Sequence, residues 1–277
     1  PRAREELGDF EQLTALMPMG WGDDLLRFNG LGENVTWGMY NNAAPNAQDQ
    51  SHLAQVLNWA AAKKMTVTFH WNQNETVHQL LEVLEKVQQS HDIKPLRWSI
   101  AHLNNASKDN LMRMKQLGMG WLVQNATYFQ RSQWIEKVGL EGLSRMPPLG
   151  DALDLGLPVG LGTDAHRVMD PNPFVCLQWA VDGLSVDGLP TRQKPHLLDR
   201  EMALRWYTAG SAWFSHEEKE RGRLQVGQRA DLALLNGSYL KIETARIHTL
   251  RAELTLLGGQ LVHGQDFLKT SLPKEKR

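Results

Sequence analysis

Residues 65–102 read MTVTFHWNQNETVHQLLEVLEKVQQSHDIKPLRWSIAH. The first six form a short β-type run rich in branched side chains, ending on His70. After a polar break, Val77, Leu80, Leu81, Leu84 and Val87 recur at intervals of three and four, the period of a helix with one buried face. Asn74 or Thr76 stands where that helix needs a cap. A second β-type run, Arg97 to His102, closes the stretch. Strand, amphipathic helix and strand in this order predict a βαβ unit with parallel strands, and both strands end on histidine.

The same alternation continues on either side. Upstream, Ser51 to Lys64 carries Leu53, Val56, Leu57 and Ala60 on one helical face, and Leu25 to Phe28 is a short strand candidate before it. Downstream, Ser107 caps a helix bearing Leu111, Met114 and Leu117, with Gly118 in the position of a C′ glycine. Met119 to Gln124 is the next strand; an irregular stretch then leads to Leu157 to Thr163, a strand that runs into Asp164. Asn172-Pro173 and Asp199 each start a further helix. From about Gly222 the pattern changes to short strands separated by turns, at residues 223–224, 230–235, 247–248, 254–257 and 260–262. The expected organisation is an α/β domain over residues 1–218, a small β module over 219–266 and a charged tail over 267–277.

Composition narrows the function classes. The 277 residues include 30 Lys+Arg and 31 Asp+Glu, a formal charge of −1. A nucleic-acid binder needs a basic face to neutralise phosphates, and this balance argues against one. With 42% hydrophobic and 22% charged residues, the chain is globular rather than disordered. No apolar run approaches the roughly 18 residues of a membrane span. The single cysteine, Cys176, allows no internal disulfide, and its apolar neighbours predict a thiol packed inside a helix. Expected partners are a small-molecule substrate, with neither nucleic acid nor membrane; the expected setting is the cytoplasm, and any signal peptide would lie upstream of Pro1.

Three ligand-type residues stand at strand ends: His70, His102 and Asp164. In a parallel α/β barrel all strand ends open on one face, so the three converge there. Imidazole nitrogens and a carboxylate suit a zinc-like ion with one position left for water. A lone histidine at a strand end is more often a hydrogen-bonded structural residue; the shared register is what favours ligation. Glu33, in the run Gly30-Leu31-Gly32-Glu33, is either a further metal ligand or a solvated loop carboxylate. His166 and Arg167 follow Asp164 at the same mouth and either orient a substrate carboxylate or hold the loop. Trp37, Trp71, Trp121 and Tyr128 fall near strand ends, as pocket lining or as ordinary packing; Trp71, next to His70, is the substrate-contact candidate among them.

Four stretches carry a family resemblance: Leu96 to His102, Leu161-Gly162-Thr163-Asp164, Tyr207 to Ala212, and Gly222-Arg223-Leu224-Gln225-Val226-Gly227-Gln228-Arg229-Ala230-Asp231-Leu232. Together they resemble amidohydrolase family 3, the YtcJ-like branch, over about residues 23–263. The resemblance implies a metal-dependent hydrolase on a (β/α)8 TIM barrel, acting on a C–N (amide-type) bond. It implies His70 and His102 as ligands on the fifth and sixth strands. Asp164 then matches the eighth-strand aspartate, a weak ligand and the general acid/base. The cofactor so implied is a divalent metal, zinc first, with iron or manganese as alternatives.

In this family the first strand carries a His-x-His pair, and no two of the ten histidines here are separated by one residue. Counting back from Asp164 as the eighth strand end makes residues 25–28 the fourth. The expectation is therefore a partial barrel, about strands 4–8, followed by half of a β-sandwich. Open sheet edges predict association, with a second copy as a homo-oligomer or with a missing N-terminal segment. A one-metal design using Glu33, His70, His102 and water is the sharpest functional expectation. The alternative is a catalytically inert remnant serving as a binding or assembly subunit.

Overall fold

The computed structural model describes residues 5–39, 44–165 and 169–266. Four strands form one parallel sheet in the order β1 (Thr68–Trp71), β2 (Ser99–His102), β3 (Gly120–Gln124) and β4 (Val159–Gly162). The register pairs Thr68 with Ser99, Ser99 with Gly120, and Trp121 with Val159. The C-terminal ends of all four strands therefore lie on the same side.

Helix Asn74–Ser90 crosses from β1 to β2, and its apolar stripe (Val77, Leu80, Leu81, Leu84, Val87) is sealed in the core together with Val83. Each such side chain removed from water contributes about 1.5–3 kcal/mol before the cost of ordering the chain. Helix Lys108–Gln116 crosses from β2 to β3; the Ser107 hydroxyl accepts from Asn110 N–H, and Gly118 follows the helix at φ 69°. That left-handed backbone is the one glycine adopts without a Cβ clash. Helix Ala47–Ala62 packs beside Asn74–Ser90. Asn172 caps helix Pro173–Asp182, which holds the fully buried Cys176.

Four tryptophans, Trp71, Trp98, Trp121 and Trp179, are fully buried, and each spends its indole N–H. Trp98 donates to Met65 O (2.8 Å), Trp121 to His102 O (2.9 Å) and Trp179 to Thr127 Oγ1 (2.9 Å). Buried indoles need such partners, and here they tie strands and loops together.

Residues 25–28 are not the strand next to β1. Asp23 Oδ1 accepts from Leu25 and Leu26 N–H, Gly22 bridges Arg27, and both leucines project outward, more than three-quarters exposed. A side chain that captures the following backbone donors makes a turn and leaves nothing for a ladder. The segment beside β1 starts at Leu31 instead. Leu31 N–H donates to Thr66 O and Thr68 N–H to Leu31 O (2.9 Å each), and His70 N–H donates to Glu33 O at 3.1 Å. Gly30 permits this approach, since a Cβ there would lie 2.2 Å from Thr66 O. On the far side, Ser211 Oγ donates to Leu161 O of β4 at 3.0 Å.

The second sheet is antiparallel, β5 (Leu232–Leu235), β6 (Ala252–Leu257) and β7 (Gln260–His263), in that order. Gly258 and Gly259, both at positive φ, make the two-residue turn between β6 and β7. Two expected strands are absent. Residues 223–224 lie in irregular chain, and residues 247–248 fall in the 3-10 helix Thr244–Thr249. The buried Ile247 and the bonds of His248 N–H to Gln178 Oε1 and of Asn172 Nδ2 to His248 O dock that turn on helix Pro173–Asp182. Arg97 adds a two-pronged pair with Glu218 (2.8 and 2.9 Å) and a bond to Trp213 O. Among the described residues no helix is long and apolar enough to cross a membrane. The tail over 267–277 lies outside the described residues.

Candidate metal centre

Strand alternation selects what faces the sheet's concave side. Thr68 and Ser99 share that side, their hydroxyls 2.9 Å apart, and His70 follows Thr68 by two residues. Phe69 and Trp71 point the other way into the core. Trp71 is thus corrected as a substrate contact: it is fully buried, its N–H donated to Gln73 O and Thr76 Oγ1, both at 3.1 Å.

By the same alternation Ser99 and Ala101 face the concave side, and His102 would turn away. It does not. His102 and Leu103 have φ of 74° and 44°, and the His102 ring sits 4.4 Å from the His70 ring. Left-handed backbone at non-glycine residues costs about 1–3 kcal/mol and concentrates at functional sites. Leu103 N–H donates to Trp71 O at 2.7 Å and Trp121 Nε1 donates to His102 O, which fix the turn. Asp164, just past the end of β4, also has left-handed backbone, at φ 54°.

Glu33 lies between the two imidazoles. Its Oε1 is 3.1 Å from His70 Nδ1 and its Oε2 is 3.2 Å from His102 Nε2. These bonds, His102 first and His70 second, hold the Glu33 carboxyl down at about 2, overcoming the partial burial that would raise it. Glu33 is an exposed loop residue, as one of its two sequence readings has it, and its carboxylate is paired with both histidines. Ligand atoms of Glu33, His70 and His102 all lie within 4.8 Å of one another. A tetrahedral zinc site with bonds of about 2.0–2.1 Å has edges of about 3.3 Å. The donor set suits such an ion, and the Glu33 distances of 3.1 and 3.2 Å to His70 Nδ1 and His102 Nε2 come close to that edge.

Asp164 stands outside that close group yet within electrostatic reach of it. Its surface is open, but partial desolvation is the leading cause that raises its carboxyl above the ordinary value; Glu33 adds to the rise, while His102 and His70 oppose it. His166 and Arg167 lie outside the described residues. Trp121 is buried core, Tyr128 half-buried and Trp37 exposed. A cavity of about 350 Å³ lined by Glu75, Ser107, Lys108, Arg145 and Asp151 does not include the Glu33, His70 and His102 cluster.

Sequence reasoning missed Asn72, whose Nδ2 is 2.9 Å from His70 Nε2. The signal available was its spacing of two residues from a ligand on a strand. It also missed Gln124 and Asn125 at the end of β3, where Gln124 Oε1 and both side-chain polar atoms of Asn125 are buried without a hydrogen-bond partner.

The protein is thus an α/β protein whose parallel sheet gathers, at its strand ends, two histidines and a carboxylate that could hold a metal ion. The amidohydrolase family profile matches residues 5–263, and the chain belongs to that family. It is 24% identical over 219 residues to YtcJ of Bacillus subtilis strain 168, a protein carrying an amidohydrolase name, covering 78% of this chain and 40% of that one. Two solved structures described as uncharacterized metal-dependent hydrolases share the fold. The one from Pyrococcus horikoshii has a TM-score of 0.68 at 20% identity, over 88% of this chain and 51% of that one. The one from Pyrococcus furiosus has a TM-score of 0.65 at 22% identity, over 86% and 50%. The chain therefore spans about half the length of the relatives it matches.

Proposed function

We propose that this protein is a metal-dependent hydrolase of a C–N (amide-type) bond, with one divalent ion, zinc first, held by Glu33, His70 and His102. The observation that carries the reading is the Glu33 carboxylate between two imidazole nitrogens at 3.1 and 3.2 Å. The finer fold reading goes with it: β1 to β4 act as strands 5–8 of a (β/α)8 barrel, with the segment starting at Leu31 in the place of strand 4. The remaining strands come from a second copy or from an N-terminal segment.

A divalent ion bound there would polarise the substrate carbonyl and lower the pKa of water. The protein's part is proton handling and orientation. Asp164, outside the close ligand group but facing it electrostatically, takes the proton of the attacking water as its oxygen adds to the carbonyl carbon. It gives that proton to the nitrogen as the C–N bond breaks, so the products are a carboxylic acid and an amine. A carboxyl whose proton affinity is raised is better suited to this two-way traffic than a fully solvated one. His166 and Arg167 are the groups proposed to orient a substrate carboxylate.

The inert binding or assembly subunit has its own supporting observation: Glu33, His70 and His102 already satisfy one another by hydrogen bonds without an ion. Amine release from a panel of simple amides by zinc-loaded protein separates the two readings. Hydrolysis is expected, falling about 100- to 10,000-fold in Asp164→Asn while zinc uptake persists. Zinc uptake with no amine release from any amide would favour the inert subunit.

A further inference from the structure

His70 is held at both ring nitrogens. Nδ1 faces Glu33 Oε1 at 3.1 Å, and Nε2 faces Asn72 Nδ2 at 2.9 Å. Asn72 comes two residues after His70, just beyond the end of β1, so the spacing keeps both on one side of the chain. A neutral imidazole carries one N–H and one lone pair. With the Asn72 amide N–H donated to Nε2, the ring proton sits on Nδ1 and is donated to Glu33.

A cation bound among Glu33, His70 and His102 needs the lone pair of Nδ1, because that nitrogen faces the carboxylate. The ring proton then belongs on Nε2, which becomes a donor. A carboxamide has a donor and an acceptor at equal reach, and a half-turn of the Asn72 amide exchanges Nδ2 for Oδ1. Asn72 can therefore serve either tautomer from the same place. A carboxylate could serve only the second, and an alkyl side chain neither.

We propose that Asn72 is a positioning residue for the metal centre, its amide oxygen receiving the His70 Nε2–H so that the Nδ1 lone pair is aimed between Glu33 and His102. This rests on reading that cluster as a metal site. Partners of this kind set the ring orientation and basicity of ligating histidines, and losing one weakens metal binding about 10- to 100-fold.

The test uses Zn²⁺ as probe. Affinity is measured by competition with a chromogenic chelator for the parent, Asn72→Ala, Asn72→Ser and Asn72→Asp, with the metal-free melting curve of each recorded alongside. Long-range ¹⁵N–¹H spectra of the zinc-loaded proteins report which nitrogen of His70 carries the proton. Asn72→Ala and Asn72→Ser are expected to bind zinc 10- to 100-fold more weakly. Asn72→Asp, which keeps an acceptor, should stay close to the parent, and the parent and Asn72→Asp should both show His70 protonated on Nε2. Equal affinity in parent and Asn72→Ala, or a parent zinc complex with the proton on Nδ1, would overturn the proposal and leave the metal site standing. Failure of the parent to take up zinc would overturn the metal reading and this proposal together. If the truncations do not fold, the His70 Nε2–H of the parent zinc complex decides: protection from solvent exchange by a bond to the Asn72 oxygen is expected, and free exchange would overturn the proposal.

Discussion

Glu33→Gln protein is expected to bind zinc more than about 100-fold more weakly than its parent, a loss larger than the 10- to 100-fold typical of groups that only touch a ligand. Glutamine keeps the length and one acceptor oxygen, so the segment beside β1, held by His70 N–H on Glu33 O, stays in place. The substitution removes the charge and one of the two oxygens that reach His70 Nδ1 and His102 Nε2. A pH signature accompanies it in metal-free protein. Folding lowers the Glu33 carboxyl from 4.5 to about 2, so its contribution to stability is fully present above pH 4.5 and fades as pH falls toward about 2. The stability gap between parent and variant should follow that course under urea denaturation at stepped pH. With the Glu33 side chain 42% exposed, solvent screening keeps the gap well below what the lowered carboxyl alone would suggest. Parent-like zinc affinity in Glu33→Gln would show that the carboxylate is not a ligand.

Phe214→Ala should destabilise the protein by about 3–5 kcal/mol. The ring fills space left by glycines on neighbouring strands: a Cβ at Gly120 would lie 2.4 Å from it, and one at Gly160 would lie 2.8 Å from it. Trp213 contacts it edge-on, and Arg97 stacks over Trp213 at 4.9 Å while pairing with Glu218. Emptying that space removes apolar contact and leaves a cavity that a β-sheet cannot close by relaxing. For a chain of this size the midpoint should fall by roughly 6–20 °C. Gly160→Val should also destabilise the parent, and by less in a Phe214→Ala background, because the added side chain then has room. A loss under 1 kcal/mol in Phe214→Ala, read by thermal denaturation, would show that residues 213–214 do not fill the sheet's concave side.

Much of the fold could be read from residue pattern because two periods alternate cleanly. Val77, Leu80, Leu81, Leu84 and Val87 declare a helix, and the runs ending at His70, His102 and Gln124 declare strands. The chain beside β1 was harder, since Gly30 and Gly32 carry no strand preference and serve by permitting close approach, while Leu25 and Leu26 imitate a strand that Asp23 turns into a loop. The convergence of His70 and His102 followed from shared strand ends. The placement of His102 did not follow from alternation, because left-handed backbone at residues 102–103 reverses the face its ring would take. Trp71 shows the opposite case, where the period of two already directed it away from His70 and into the core. Glu33 remained ambiguous in sequence because its partners lie 37 and 69 residues away. Asn72 left no trace beyond its spacing, since a hydrogen bond to a ring nitrogen has no compositional signature.

The most direct test of a metal centre at Glu33, His70 and His102 is anomalous diffraction at the zinc edge from crystals grown with stoichiometric Zn²⁺. The expected result is one strong peak per chain, about 2.0–2.2 Å from a Glu33 carboxylate oxygen, His70 Nδ1 and His102 Nε2. Crystals with no peak there, or with zinc held only by surface residues, would contradict it.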